Sequence, residues 1–121
     1  MVLRLEDLDI CQMAEELADK IWNICIGWDY FTKDTIGKQL TRAADSIGAN
    51  LAEGHGRFHF KDLLNFCYYA RGSLEETKSW LSKAFRRNLI SPESVEINAL
   101  IDALPKKLNA YIRSIKKAAF D

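Results

Sequence analysis

The sequence has few prolines, glycines and cysteines, and it has no long apolar run. Only two prolines and six glycines occur in 121 residues, so long uninterrupted helices are allowed. The three cysteines are odd in number and form no Cys-x-x-Cys pair, which favours reduced, buried thiols. No apolar run approaches the ~18 residues of a membrane span, and the first residues lack a signal-peptide core. We therefore expect a cytoplasmic protein without membrane contact.

The chain also lacks an excess of either charge, because Lys and Arg together number 17 and so do Asp and Glu. A neutral total argues against strong nonspecific binding to polyanions. The charges are unevenly placed, with eight acids and three bases in residues 1–34 but two acids and five bases in residues 97–121. This asymmetry leaves open a basic face on the last helix, or a charge-matched association of acidic first helices with basic later ones.

Apolar residues at steps of three and four predict helices, and no stretch alternates as a strand does. We predict a single all-α domain, residues 1–121, folded as an antiparallel up-down-up-down four-helix bundle. The predicted helices run from Asp7 or Asp9 to Gly27, from Lys33 to Glu53, from Phe60 to Arg87, and onward from a start signal at residues 91–93. Pro105 predicts a kink in the last helix, since a proline removes one backbone hydrogen bond.

Several residues predict how these helices begin and end. Asp9 with Gln12 has the form of a capping box, and Thr32 or Asp34 can cap the second helix. Gly54 and Gly56 are expected to stop the second helix, and Asn88 to take a left-handed conformation after the third.

The centre of the chain is the stretch of residues 41–57, in which Asn50 and Glu53 share a helical face with small residues. Gly72 and Ser73 on the third helix repeat the small-residue pattern. We predict that Asn50 and Glu53 are largely buried against Gly72, Ser73 and Glu76, because buried polar groups need partners. The alternative, in which Glu53 and Glu76 are paired carboxylates for acid–base chemistry, stays open at this point.

The residues that usually carry chemistry form no recognised set. His55 and His59 are four apart, but the glycines between Glu53 and Arg57 indicate a loop in which helical ligand geometry is lost. No nucleophile is spaced against a base, and Gly54-His55-Gly56 lacks the pattern of a phosphate loop. We therefore predict no enzymatic activity, no metal, no cofactor and no small-molecule substrate.

Basic residues in the later part of the chain could contact nucleic acid, with Tyr68, Tyr69 or Phe58 stacking on bases. A solvated surface is the alternative explanation. The candidate contacts are Arg57, Arg86, Arg87, Lys106, Lys107, Arg113, Lys116 and Lys117.

Two motifs resemble a known family. Residues 46–54, Ser-Ile-Gly-Ala-Asn-Leu-Ala-Glu-Gly, resemble the Ser-Ile-x-x-Asn-Ile-Ala-Glu-Gly signature of bacterial four-helix-bundle proteins, also called 23S ribosomal RNA intervening-sequence proteins. Residues 66–76 resemble that family's Phe-Leu-x-x-Ala-x-Gly-Ser-x-x-Glu. Gly48 stands where the family usually has proline.

The resemblance implies a closed four-helix bundle that assembles as a ring-like homopentamer, and a link to inserts in ribosomal RNA genes. A related accessory protein of diversity-generating retroelements has a similar pentameric barrel and binds nucleic acid. We therefore expect a non-enzymatic oligomeric scaffold for nucleic acid or protein partners. The alternative is an RNA- or DNA-binding module whose basic face is repeated around the oligomer. The resemblance implies signature positions at Asn50, Glu53, Gly54, Gly72, Ser73 and Glu76.

Overall fold

The computed structural model describes the backbone of residues 8–120 and the side chains of residues 8–119. Four long helices account for most of this part of the chain, which contains no strand. The second helix is continuous but passes through a short π-helical turn. The helices are α1, Asp9–Cys25; α2, made of Tyr30–Thr32, the π segment Lys33–Gly37 and Lys38–His55; α3, Phe60–Arg86; and α4, Val95–Phe120.

Helix α1 begins differently from the prediction. Asp9 is the first helical residue and Leu8 is the N-cap, which makes no side-chain capping bond. The predicted capping box at Asp9 is therefore wrong, and the Asp9 carboxylate lies 3.5 Å from Lys107 Nζ on α4 instead. Asp7, the other predicted start, lies outside the described residues.

Helix α2 begins three residues earlier than predicted. Asp29 is its N-cap, and the Asp29 carboxylate accepts a 2.8 Å hydrogen bond from the Thr32 amide. This bond holds the pKa of Asp29 below its ordinary value. Thr32 and Asp34 therefore lie inside the helix and do not cap it. The π segment at Lys33–Gly37 has no counterpart in the prediction.

The connection between α3 and α4 is partly as predicted. Asn88 has φ of 59°, which confirms its left-handed conformation, and the Asn88 and Leu89 amides donate to α3 carbonyls. The Ser91 hydroxyl caps a turn by accepting from the Glu93 amide at 3.3 Å, but α4 itself begins only at Val95. Pro105 lies inside α4, which continues past it; the kink there remains a prediction.

The four helices pack as neighbours in chain order, and α4 returns to contact α1. Lys20 of α1 bonds Glu96 of α4, whereas Asp9 pairs with Lys107, and Asn50 reaches Ser73. The two ion pairs fit α1 and α4 running in opposite directions, and the up-down-up-down order of all four helices remains a prediction.

One cluster of buried side chains lies between the helices. The predicted seam of α2 is buried throughout, as are the seam residues of α3 after Leu63. Val95, the first residue of α4, is 80% exposed. The predicted seam residues buried on α2 and α3 are Ile36, Leu40, Ala43, Ile47, Leu51, Cys67, Ala70, Leu74, Thr77, Leu81 and Ala84.

Candidate functional site

Asn50 connects the two helices that carry the signature residues. The half-buried Asn50 amide donates to the Ser46 carbonyl at 2.9 Å and lies 3.4 Å from the Ser73 hydroxyl. The predicted contact between Asn50 and Ser73 is confirmed. The long distance to Ser73 indicates that the bond to Ser46, within α2, is the stronger of the two.

The carboxylates of the signature are not buried in the protomer, which corrects the prediction for Glu53. The Glu53 side chain is 56% exposed and forms an ion pair with Arg57 at 2.7 Å. Glu76 is also exposed and accepts a 3.3 Å bond from the Trp80 indole. Each acid therefore has a partner four residues onward, because small neighbours on a helix face do not bury a long side chain that can turn outward. The Glu53–Glu76 network is not formed.

The two signature glycines have different surroundings. A Cβ at Gly54 would lie 2.8 Å from Phe66 Cβ and 3.3 Å from the Leu63 carbonyl oxygen, whereas nothing lies within 4 Å of one at Gly72. Gly54 is inside α2 and allows close packing against α3, so it is not the stop signal; the helix ends at His55 with Gly56 as its C-cap, as predicted for Gly56. Gly72 is exposed on α3, and the predicted close approach to α2 is absent there.

The cysteines are poor nucleophiles in this fold. Cys11, Cys25 and Cys67 are free and buried, and burial raises the pKa of each thiol to about 11. Burial likewise raises the pKa of Tyr111 to about 12. Among the described residues, no group of three or more His, Cys, Asp or Glu side chains is arranged to hold a metal ion.

The structure distributes the predicted basic contacts over several places. Arg57 follows α2, whereas Arg86 and Arg87 lie at the far end of α3, ~40 Å away for a 27-residue helix. Lys107 pairs with Asp9. The remaining four, Lys106, Arg113, Lys116 and Lys117, fall on one side of α4 by their helical spacing.

The helical spacing of Lys106, Arg113 and Lys116 places them along the groove where α3 and α4 pack. Arg71 of α3 donates to the Asn109 side-chain oxygen at 3.1 Å across this groove. Residues three, four or seven positions from Arg71 on α3, or from Asn109 on α4, lie along the same two sides of the groove. Two acids, Glu75 and Asp102, fall in the same rows. We define the basic groove by Lys61, Tyr68, Arg71 and Lys78 of α3 and Lys106, Asn109, Arg113 and Lys116 of α4.

Tyr68 lies along the basic groove, where its partly buried ring packs against the core and two cations lie over the ring. The Arg71 guanidinium is 5.1 Å from the centre of its ring and the Lys116 ammonium 5.8 Å. Among the described residues, Arg71 and Lys116 form no ion pair with a carboxylate. The sequence missed Lys61, Arg71 and Lys78, because only the pairing of α3 with α4 places them opposite the α4 cations.

A second exposed feature lies where α1 ends and α2 begins. Trp22, Ile26 and Tyr30 are 53%, 54% and 80% exposed and line an open cavity of about 380 Å³. We call these three residues the apolar corner. The π segment of α2 contributes Lys33, Asp34 and Gly37 to the cavity wall, with Cys25, Lys38 and Thr41 completing it.

Within the described part of the chain, none of the helices is long and apolar enough to cross a membrane. A solved structure has a similar fold. A protein of unknown function from the S23 ribosomal protein family of Bacteroides thetaiotaomicron VPI-5482 superposes with a TM-score of 0.75 at 27% sequence identity. The match covers 86% of this chain and 95% of that one.

A comparison with curated proteins gives no match. The sequence model of the family described as 23S rRNA-intervening sequence protein matches residues 6–110. This range contains both signature segments, α2 with Asn50 and α3 with Ser73. The protein therefore belongs to the 23S rRNA-intervening sequence protein family.

Proposed function

We propose that the protein is a non-enzymatic, cytoplasmic scaffold that assembles from identical copies, as the homopentamer that the family resemblance implies. The apolar corner carries this proposal. Contiguous apolar patches on a protein surface usually mark an interface, and scattered single residues do not. Trp22, Ile26 and Tyr30 line one cavity and are each more than half exposed in the isolated protomer.

A second copy is the occupant that we assign to the apolar corner. The cavity wall includes Lys33 and Lys38 with Asp34, and this excess of a single positive charge does not select a strongly charged partner. An assembly around a rotation axis buries the same corner in every protomer.

Paired variants test this assignment by size-exclusion chromatography with light scattering. The variant Ile26→Ser/Tyr30→Ser should lower the mass of the assembly. The control Phe58→Ser/Val95→Ser removes two residues that are 95% and 80% exposed outside the corner and should leave the mass unchanged. Equal masses for both variants and the parent would show that the corner is not the interface.

The basic groove supports a second candidate function, the binding of nucleic acid along α3 and α4. Six cations and two acids fall along it, with Lys78 paired to Glu75 at 3.5 Å, and a weak site on one protomer becomes significant when it is repeated around an oligomer. The variant Arg71→Ala/Lys116→Ala removes two groove cations, and the control Arg86→Ala/Arg87→Ala removes two from the far end of α3.

The salt dependence of binding measures how many cations contact phosphates. For a single strand, loss of two such contacts should reduce the slope of log K against log salt concentration by about 1.4. The control should keep the parent slope. An unchanged slope in Arg71→Ala/Lys116→Ala, or an equal change in the control, would contradict binding through the basic groove.

A further inference from the structure

We infer that the basic groove selects single-stranded over double-stranded nucleic acid. This inference rests on the nucleic-acid function proposed above and names the form of nucleic acid that is bound. It follows from the combination of cations with uncharged groups that can contact bases. The uncharged groups are Tyr68 and Asn109, one from each wall of the groove.

The cations alone do not distinguish the two forms. Lys61, Arg71 and Lys78 follow α3 over 17 residues, a length of ~25 Å, and lysine or arginine neutralises phosphates of a single strand or a duplex alike. A groove of this length corresponds to a short segment of a strand, near the lower end of the ~4–16 nucleotides bound by single-strand-binding modules.

Tyr68 and Asn109 do distinguish them. An aromatic ring stacks on the face of a base, and an amide bonds to a base edge, but in a duplex the faces are already stacked and the pairing edges are occupied. The axes of packed helices lie about 8–10 Å apart. A duplex resting on α3 and α4 therefore touches the outer cations and does not reach Tyr68 between the two helices. Only an unpaired base can reach Tyr68.

The two cations beside Tyr68 suit this role. Arg71 and Lys116 lie over the ring within 6 Å of its centre, so a base that stacks at Tyr68 displaces these cations from the ring and brings its flanking phosphates to them. A guanidinium plane can itself stack on a base.

The first test compares probes on the unmodified protein by fluorescence anisotropy. The probes are a labelled single-stranded RNA of ~15 nucleotides, the DNA of the same sequence, and the duplex of each. Both single strands should bind at least about fivefold more tightly than their duplexes, the factor expected for one stacked base. Equal affinities would overturn the inference and leave the nucleic-acid function standing, whereas no binding of any probe would overturn both.

The second test compares two adjacent tyrosines. Tyr68→Leu removes the ring from the groove but keeps apolar bulk, and should abolish the single-strand preference while leaving the salt slope unchanged. Tyr69→Leu is the matched control, because Tyr69 is 57% exposed and packs against Phe66 outside the groove. An equal loss of preference in the two variants would contradict the inference.

Polyglutamate of similar length serves as a polyanion without bases. It should not compete with the single-stranded RNA at equal charge concentration. Competition as strong as that of unlabelled RNA would show a general anion-binding surface and overturn the inference. The mass of the assembly, measured on the same samples, tests the scaffold proposal independently of any binding result.

Discussion

Gly54 of α2 lies so close to Phe66 of α3 that a Cβ added to the glycine would be 2.8 Å from the Cβ of the phenylalanine. The Leu63 carbonyl oxygen, at 3.3 Å from the same position, is part of the α3 backbone and cannot turn away. The Arg57 guanidinium then covers the Phe66 ring at 4.8 Å. The signature glycine therefore sets the distance between the two helices where α2 ends.

Gly54→Ala should destabilise the protein. Overpacking of a tight contact costs about 1–3 kcal/mol, and this exceeds or offsets the ~1 kcal/mol that alanine contributes in a helix interior. Gly72→Ala is the matched control, since nothing lies within 4 Å of the added atom. Urea unfolding should give a higher free energy for Gly72→Ala than for Gly54→Ala by at least about 1 kcal/mol. The reverse order would show that the two helices do not meet at Gly54.

Asn50→Ala should reduce the free energy of unfolding more than Glu53→Ala does. Loss of a typical hydrogen bond costs about 1 kcal/mol, and Asn50 is half-buried with two acceptors within reach. The exposed Glu53–Arg57 pair contributes about 0.3–0.5 kcal/mol at most. Thermal unfolding of the two variants at a protein concentration where assembly is unchanged checks this order. A larger loss for Glu53→Ala would mean that Glu53 is buried by a partner.

The thiols should resist modification in the folded protein. Burial raises the pKa of all three to about 11 from an ordinary value of 9.0, and the thiolate is the reactive form. Ellman's reagent at pH 8 should therefore react with none of the three cysteines until denaturant is added. Rapid reaction of even one thiol in the native protein would contradict the buried positions.

The same raised pKa values determine how the thiols contribute to stability. Because the folded pKa lies above the unfolded one, their contribution is complete below pH 9 and is lost as the pH rises towards 11. The alanine variant of Cys25 should therefore lose less stability than the parent between pH 8 and pH 10 in urea titrations. An identical loss would show that Cys25 does not contribute to the pH dependence.

The helices could be predicted from sequence because each carries a sustained apolar seam. Residues such as Leu40, Ile47 and Leu74 recur at helical spacing, and all three are buried. The start of α2 could not be predicted, since Asp29, Thr32 and Asp34 are all suitable caps and only the folded chain shows which one accepts the amide. The π segment that follows has no sequence signal.

The candidate site was harder to predict. Asn50 and Ser73 were paired correctly because both lie on faces with small residues. The same reasoning failed for Glu53, whose side chain is long enough to turn out towards Arg57. The basic groove depends on the register between α3 and α4, which places Arg71 opposite Asn109, and spacing within one helix carries no information about that register.

The central claim, that the protein is an assembly of identical copies, is tested most directly by sedimentation equilibrium of the unmodified protein at micromolar concentration. The account predicts a single species of five times the mass of one chain. A monomer, with no increase in mass as concentration rises, would contradict it.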